Sequence, residues 1–347
     1  MLKLKQGYLT FIEKDKKNVF EALAYALLCF FSGIYGAIVF LRNFLYQRKI
    51  IPVFFSRAKV ISVGNLSWSG SGKTSLCLWL YNRLSLERKV AILRRGYGED
   101  EGKLLKEKMV ISNGMTASGV FSASKRSKLA KQLEGSFDLF ILDDGFQHRS
   151  LRRDVDIVIM GSRDFRRKQR LIPAYFFREP LSSLSRADIL ILNYSEEMGD
   201  REAVKRAVLK IAPKLRVYFS QYRPKGFVDL AGNRFKIDFL ANRRLGAFAA
   251  IGYPQGFFNK LKELNFNLSQ RIVYPDHHEL SFSEFGKLED SLIKNSINDL
   301  VITHKDKYHL PCLESRLNIF ILEVDLEIED EAGFMAAVEK KLARGVD

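Results

Sequence analysis

The stretch that most limits how this chain can fold runs from Ala58 to Leu84. A short apolar run, AKVISV (58–63), is β-branched at Val60, Ile61 and Val63 and ends on Gly64. A loop of small residues follows, and Lys73-Thr74 then opens a segment with Leu76, Leu80 and Leu84 at helical spacing. A buried strand joined by a Gly/Ser loop to an apolar helix begins an α/β layer. The pattern G-x-x-x-x-G-K-[ST] at that junction is a phosphate cradle. Gly72-Lys73-Thr74 supplies the end of the pattern, and Ser67 stands at its first glycine. A flexible linker of the same composition would not be fused to a strand and a helix. The cradle predicts Ser69, Gly70, Ser71, Gly72, Lys73, Thr74 and Ser75 as nucleotide contacts, with amides and a helix N-terminus turned toward the anion. Lys73 would reach the β- and γ-phosphates of ATP, and the Thr74 hydroxyl would ligate Mg²⁺.

Such a cradle needs a carboxylate at the end of a neighbouring strand to hold the metal. LFILDDGFQH (139–148) provides Asp143 and Asp144 after four apolar residues. Alone, an Asp pair after a strand reads as a turn or a cap; beside the cradle it reads as a metal site.

KVAIL (89–93), VDIVIM (155–160) and ADILIL (187–192) are further apolar runs between helical stretches, which indicates a parallel sheet with helices on both faces. Residues 217–237 carry Pro, two Gly and Asn between apolar stretches, the mark of a β-hairpin or a linker. Beyond it LGAFAAIG (245–252), RIVY (271–274), DLVIT (299–303) and NIFILEV (318–324) read as strands, and 329–344 as an amphipathic helix. The expected class is α/β: an N-terminal segment (1–50), a first domain (51–215), a linker (216–240) and a second, smaller α/β domain with the C-terminal helix (241–347).

From Ala22 to Leu41 no residue is charged, and twenty such residues are long enough to span a bilayer. Lysines precede the run and Arg42, Arg48 and Lys49 follow it, so flanking charge does not decide an orientation. The run starts too late, and lacks the small-residue pattern, for a cleaved signal peptide. It predicts a membrane helix, spanning or lying in the leaflet. The chain carries 56 Lys+Arg against 40 Asp+Glu, a net charge of +16, which favours anionic partners. Three cysteines, Cys29, Cys77 and Cys312, with no CxxC spacing, exclude a disulfide scaffold and a zinc site and fit a reducing cytoplasm.

Asp143-Asp144-Gly145-Phe146-Gln147-His148, running on into RSLRRDVDIV, resembles the signature of the tetraacyldisaccharide 4'-kinases. SVGNLSWSGSGKT, RRGYG (94–98), LIPAYFFREPLSSLSRAD (171–188), AFAAIGYPQGFF (247–258), DHHELSF (276–282) and THKD (303–306) agree with that family in order. The resemblance covers nearly the whole chain. It implies a P-loop NTPase-like core and a second α/β domain joined by a two-stranded linker, with the active cleft between them. It implies transfer of the ATP γ-phosphoryl group to the 4'-hydroxyl of an acylated glucosamine disaccharide 1-phosphate lipid, at the cytoplasmic face of a bacterial inner membrane whose anionic leaflet holds the N-terminal helix.

By matched position, Lys73 and Thr74 handle ATP and Mg²⁺, and Asp143 and Asp144 the metal, with Glu179 of REP. Asn65, Arg95, Tyr97, Arg126, Gln147, His148 and His278 fall to the substrate. His277 stands near the acceptor hydroxyl with Asp276 beside it, so His277, Asp276, Lys73 and Asp144 form the expected catalytic set.

The match departs from the family at one place that matters. Its Gly-Asp-Glu-Pro stretch, whose aspartate is paired with the DHH histidine, is not visible between Gly98 and Asp143, and the helix before VFSASKR reads as deleted. Glu99, Asp100 or Glu101 could substitute, His277 could act with Asp276 alone, or the chain could be a nucleotide-binding relative without the chemistry. A nucleic-acid-dependent ATPase is the other reading of basic charge plus a cradle. It lacks support, since the basic run RRKQR (166–170) has no interleaved aromatics.

Overall fold

The structure is a computed structural model and describes residues 7–8, 11–14, 17–68, 70–96, 99–109, 119–166, 168–311 and 314–343. One half of the sheet is built from β1 (Lys59–Gly64), β2 (Val90–Arg94), β3 (Val120–Ser122), β4 (Leu139–Asp143), β5 (Val155–Gly161) and β6 (Ile189–Asn193). Every pairing among them is parallel. Strands β4, β5 and β6 are buried along their whole length, as continuous apolar runs require when both faces are covered. The covering helices are α2 (Lys73–Leu84), α3 (Glu99–Lys108), α4 (Arg126–Leu133), α5 (Ser162–Arg166) and α6 (Arg201–Ile211), after an N-terminal α1 (Val19–Gln47).

The other half comprises β7 (Arg216–Asp229), β8 (Arg234–Phe235), β9 (Arg244–Ala249), β10 (Asn267–Val273), β11 (Asp299–Thr303) and β12 (Asn318–Ile328). Helices α7 (Pro254–Glu263), α8 (Phe282–Lys294) and α9 (Glu331–Leu342) alternate with these strands. All are members of one sheet, ordered β10-β9-β11-β12-β7-β6-β5-β1-β4-β2-β3, with β8 on β7.

Residues 217–237 turn out differently from a hairpin linker. The hairpin is only the contact of Phe227 and Val228 with Phe235 and Arg234. Strand β7 instead starts parallel to β6 and from Ser220 runs antiparallel to β12. The Pro224 and Gly226 that suggested a turn sit at a register shift opposite Glu323 and Val324, a place where a strand tolerates proline.

The C-terminal helix also departs from the expected division. Because β12 extends back beside the first half, α9 leaves the sheet over α2. Phe334, Ala337, Val338 and Leu342 join Trp79, Leu80, Ile61 and Ile141 in one apolar cluster, with the Trp79 and Phe334 rings edge-on at 5.5 Å. The helix drawn with the second domain completes the core of the first.

Helix α1 begins with a capping box in which Asn18 and Glu21 exchange side-chain and amide bonds. It docks by one stripe at helical spacing. Ser32 Oγ donates to the Leu171 carbonyl at 2.8 Å, Tyr35 Oη donates to the Arg178 carbonyl at 3.0 Å, Val39 is buried, and Arg42 and Asn43 reach Glu179. Off the stripe it is apolar and open, with Phe30 64% and Ile38 61% exposed. Among the described residues it is the one helix long and apolar enough to cross a membrane, with a mean hydropathy of 2.0.

Candidate active site

The loop after β1 is braced from both sides. Ser67 bridges Phe177 and has no left-handed φ, so the first glycine of the pattern is not needed there. Gly72, by contrast, caps α2 at φ +96°. A Cβ there would lie 2.6 Å from Asn193 Nδ2 and 2.7 Å from Tyr222 Oη. Asn193 Nδ2 donates to the Ser71 carbonyl at 2.9 Å, and Tyr222 Oη to Ser75 Oγ at 3.0 Å. Gly70 meets the second half of the molecule directly, since a Cβ on it would be 2.9 Å from the Gly252 carbonyl carbon. Lys73 opens α2 with Nζ 3.7 Å from Asp144 Oδ1. Ser69 and Tyr97 lie outside the described residues.

Strand β4 delivers the acidic pair to the same place. Thr74 Oγ1 is 3.5 Å from Asp143 Oδ2. Asp144 turns aside at φ +52° and accepts both bonds of the Arg178 guanidinium at 2.8 and 2.9 Å. The two acids are driven apart. Burial, then Glu101 and Asp144, pushes Asp143 up to about 6. Burial opposes the charge of Asp144 too, but Lys73 and Arg178 outweigh it and hold that acid at about 2. A buried Asp143 short of positive charge, beside a hydroxyl and a second carboxylate, is an oxygen donor set that fits Mg²⁺.

Across the cleft, the turn after β10 holds His277 at φ +62°, its amide bonded to the Ala250 carbonyl at 3.2 Å. A non-glycine residue in that region is uncommon and carries strain, which functional sites often store. His277 Nδ1 lies 3.1 Å from Asp100 Oδ2, and Nε2 lies 3.6 Å from Asp276 Oδ2 and 3.4 Å from Lys305 Nζ. The geometry selects Asp100 from the three acids left open by the sequence. It also corrects the expected deletion: α3 is present, and Asp100 stands in its first turn with only 8% of its surface exposed. Burial opposes Asp100's charge, but hydrogen bonds from His277 and His309 and the Lys305 ammonium hold it far below the usual carboxylate range.

Lys73, Asp144, Arg95, His148, Asp276 and His277 line one cleft of about 2060 Å³. Sites for a single small molecule span about 300–1,000 Å³, so there is room for a nucleotide and an acceptor together. Gln147 also lines it and donates to the Asn65 carbonyl at 2.8 Å. Burial, then Arg126, Arg153 and Arg95, holds His148 down to about 4, a neutral ring at neutral pH. Arg126 reaches the cleft but directs its guanidinium at the carbonyls of Asp143 and Asp144, pinning the end of β4.

Three expected site residues are corrected. Glu179 is fully buried and both its oxygens are taken, one by Arg42 at 3.1 Å, the other by Asn43 and Arg186 at 2.9 Å. It fastens α1 and, fully buried, does not line the cleft that holds Lys73, Asp143 and Asp144. Asn65 is also fully buried, and its amide donates to Ser71 Oγ at 3.1 Å, bracing the cradle with no surface for a substrate. His278 turns from the cleft to Glu284 at 3.2 Å and stacks on Tyr274. The sequence reading missed Arg178 and Lys305. Arg178 stands beside Glu179, and a cation next to a proposed carboxylate site was the available signal; Lys305 lies in THKD, a stretch matched as a block with no residue assigned to the site.

The sequence profile of the family described as "Tetraacyldisaccharide-1-P 4'-kinase" matches residues 24–343. A tetraacyldisaccharide 4'-kinase of Halothermothrix orenii is 25% identical, covering 97% of this chain and 98% of its own. That of Syntrophus aciditrophicus is 30% identical, covering 92% and 93%. A crystal structure of Aquifex aeolicus LpxK in complex with ATP superposes with a TM-score of 0.69 at 26% identity, over 92% of this chain and 99% of that one.

Proposed function

The chain belongs to the tetraacyldisaccharide-1-phosphate 4'-kinase family, and from that premise we propose how its cleft divides the work of moving the ATP γ-phosphoryl group to the 4'-hydroxyl of a lipid A disaccharide 1-phosphate precursor. The amides between Gly70 and Thr74 cradle the phosphates, and Lys73 neutralises their charge. Thr74, Asp143 and Asp144 would hold Mg²⁺, which supplies charge neutralisation along the triphosphate when bound. Arg178 fixes the Asp144 carboxylate in place.

Asp100 accepts from His277 Nδ1, so the ring presents Nε2 to the cleft as the acceptor of the sugar hydroxyl's proton. As the 4'-oxygen bonds to the γ-phosphorus, the bridging β–γ bond breaks, ADP leaves and the proton passes to Nε2. Asp276, held by Lys305 at 3.2 Å, lies beside that nitrogen to position the hydroxyl. Arg95, Gln147 and His148 face the same space and suit the sugar and its 1-phosphate.

The open apolar faces of α1 and the net charge of +16 support seating on an anionic leaflet, where the acyl chains of the substrate lie. The observation that carries the reading is the Asp100–His277 pair opening on the same cleft as Lys73 and Asp144. It also removes the support for a nucleotide-binding relative without the chemistry, which rested on a missing partner for the histidine.

The test is incubation of the full chain in mixed micelles with Mg-ATP and the tetraacylated disaccharide 1-phosphate, with the product located by mass spectrometry. Phosphate at the 4'-oxygen is expected. ATP binding without transfer overturns the reading.

A further inference from the structure

Behind the Asp100–His277 pair lies a second histidine. His309 is 2% exposed and is held on both ring nitrogens by carboxylates: Nε2 lies 3.1 Å from Asp100 Oδ2, and Nδ1 lies 3.2 Å from Asp306 Oδ1. Asp306 is fully buried and itself fixed, accepting from the Ala250 amide at 2.8 Å and from Thr303 Oγ1 at 2.6 Å. A neutral imidazole has one N–H and would turn a lone pair on one of these carboxylates; only the imidazolium donates to both. We propose that His309 is a positioning residue for phosphoryl transfer: its imidazolium, clamped between Asp306 and Asp100, orients the Asp100 carboxylate and offsets its charge, so that His277 keeps its proton on Nδ1 and presents an unprotonated Nε2, beside Lys305, as the base. This rests on the kinase reading above.

Burial works against a charge on His309, but the hydrogen bonds to Asp100 and Asp306 outweigh it and push the ring up to about 9. The other charged groups facing the pair are Lys305 (3.5 Å from Asp100), Glu101 (3.6 Å from Lys305) and Asp276; His278 points away to Glu284. Two cations thus meet Asp100: His309, and Lys305, whose ammonium also touches His277 Nε2 and Asp276. Asp100, His277 and His309 also place ligand-type atoms within 4.8 Å of one another, with the Lys305 ammonium 3.5 Å from the same carboxylate. The His277 and His309 rings are 6.5 Å apart. At an effective dielectric of about 20, a unit charge at that range shifts a neighbour's protonation midpoint by about one to two pH units.

The experiment compares wild type, His309→Gln and His309→Lys as full chains in micelles. Turnover is followed from pH 5.5 to 10, with ATP binding and thermal unfolding as controls for the fold. In His309→Gln the base must answer the Asp100 charge alone, so it holds its proton to higher pH. The acid limb of kcat moves up by about one to two pH units, activity on the acid side of the limb falls by about ten- to a hundredfold, and KM for ATP is unchanged. His309→Lys restores the charge and returns the limb toward wild type. A well-folded His309→Gln enzyme with an unmoved limb, or an equal loss at every pH in both variants, overturns the proposal.

Histidine ¹⁵N spectra decide the matter without turnover, and so separate this proposal from the kinase reading. At pH 8 His309 in the wild-type chain is expected to show two protonated nitrogens and His277 an Nδ1–H tautomer. A neutral His309 there overturns the proposal even for an active kinase.

Discussion

Glu179→Gln is the sharpest test of what the acid in the REPL block does. The substitution preserves volume and removes one negative charge from a fully buried position facing two guanidiniums, Arg42 at 3.1 Å and Arg186 at 2.9 Å. The glutamine oxygen can still accept from one guanidinium, but two ion pairs become at most one bond to an uncharged acceptor. Breaking a buried ion pair from one side costs about 3–5 kcal/mol. Arg42 is 34% and Arg186 20% exposed, so water recovers part of the loss and about 3 kcal/mol is expected. For 347 residues at about 2.1 cal/mol/K each, that lowers Tm by about 4 °C. The assay is thermal unfolding in detergent alongside titration of Mg²⁺ in the kinase reaction. Reduced Tm with an unchanged Mg²⁺ dependence is the expected pair of results. Unchanged Tm with a weakened Mg²⁺ dependence would refute the reasoning and return Glu179 to the metal.

Gly72→Ala adds a methyl at φ +96° against Asn193 and Tyr222 and should weaken ATP binding by about tenfold or more in calorimetry, with the fold retained. Asp100→Asn should lower kcat by about 10²–10³-fold while ATP still binds normally, since it removes the negative charge and turns one of the two acceptor oxygens facing His277 and His309 into a donor. Because the folded protein raises His309 above an unfolded value of about 6.5, its contribution to stability is complete below that pH. It is lost as pH rises through about 9, and denaturant unfolding at pH 7 and pH 10 should differ by about 3 kcal/mol from this group, a difference absent in His309→Gln. Phe30→Asp with Ile38→Asp, both on open faces of α1, should shift the chain from sedimenting with anionic vesicles to the supernatant while leaving Tm unchanged.

The parts of the site written contiguously were legible before any coordinates. The Gly72-Lys73-Thr74 cradle and the Asp143-Asp144 pair each follow an apolar strand, and strand plus loop is enough to say where those groups point. What stayed hidden depends on pairing across the chain. Asp100 and His277 are 177 positions apart, and nothing local in EDEGK marks its aspartate as the one that meets an imidazole. Glu179 was found by motif but given the wrong task, because burial and partners 136 and 137 residues away decide whether a carboxylate faces a metal or an arginine; Asn65 and His278 have partners only six positions away, Ser71 and Glu284, and what the motif does not show is which way each side chain turns. The same reason explains one departure in the fold. Pro224 and Gly226 suggest a turn locally, and only the arrival of β12 alongside turns them into a bulge in a long strand, while Gly232 makes the turn into β8.

That ladder has a mechanical consequence. The base rides on one half of the sheet and the phosphate cradle on the other, and the halves are joined mainly by the β7–β12 ribbon, with no swivel of loose chain between them. Any change in the gap between His277 and Lys73 must flex a pair of hydrogen-bonded strands, most easily at the irregular register beside Pro224. The reach of the base is therefore set by the elasticity of a short leaf spring, and stiffening that spring should slow turnover without touching a single group in the cleft.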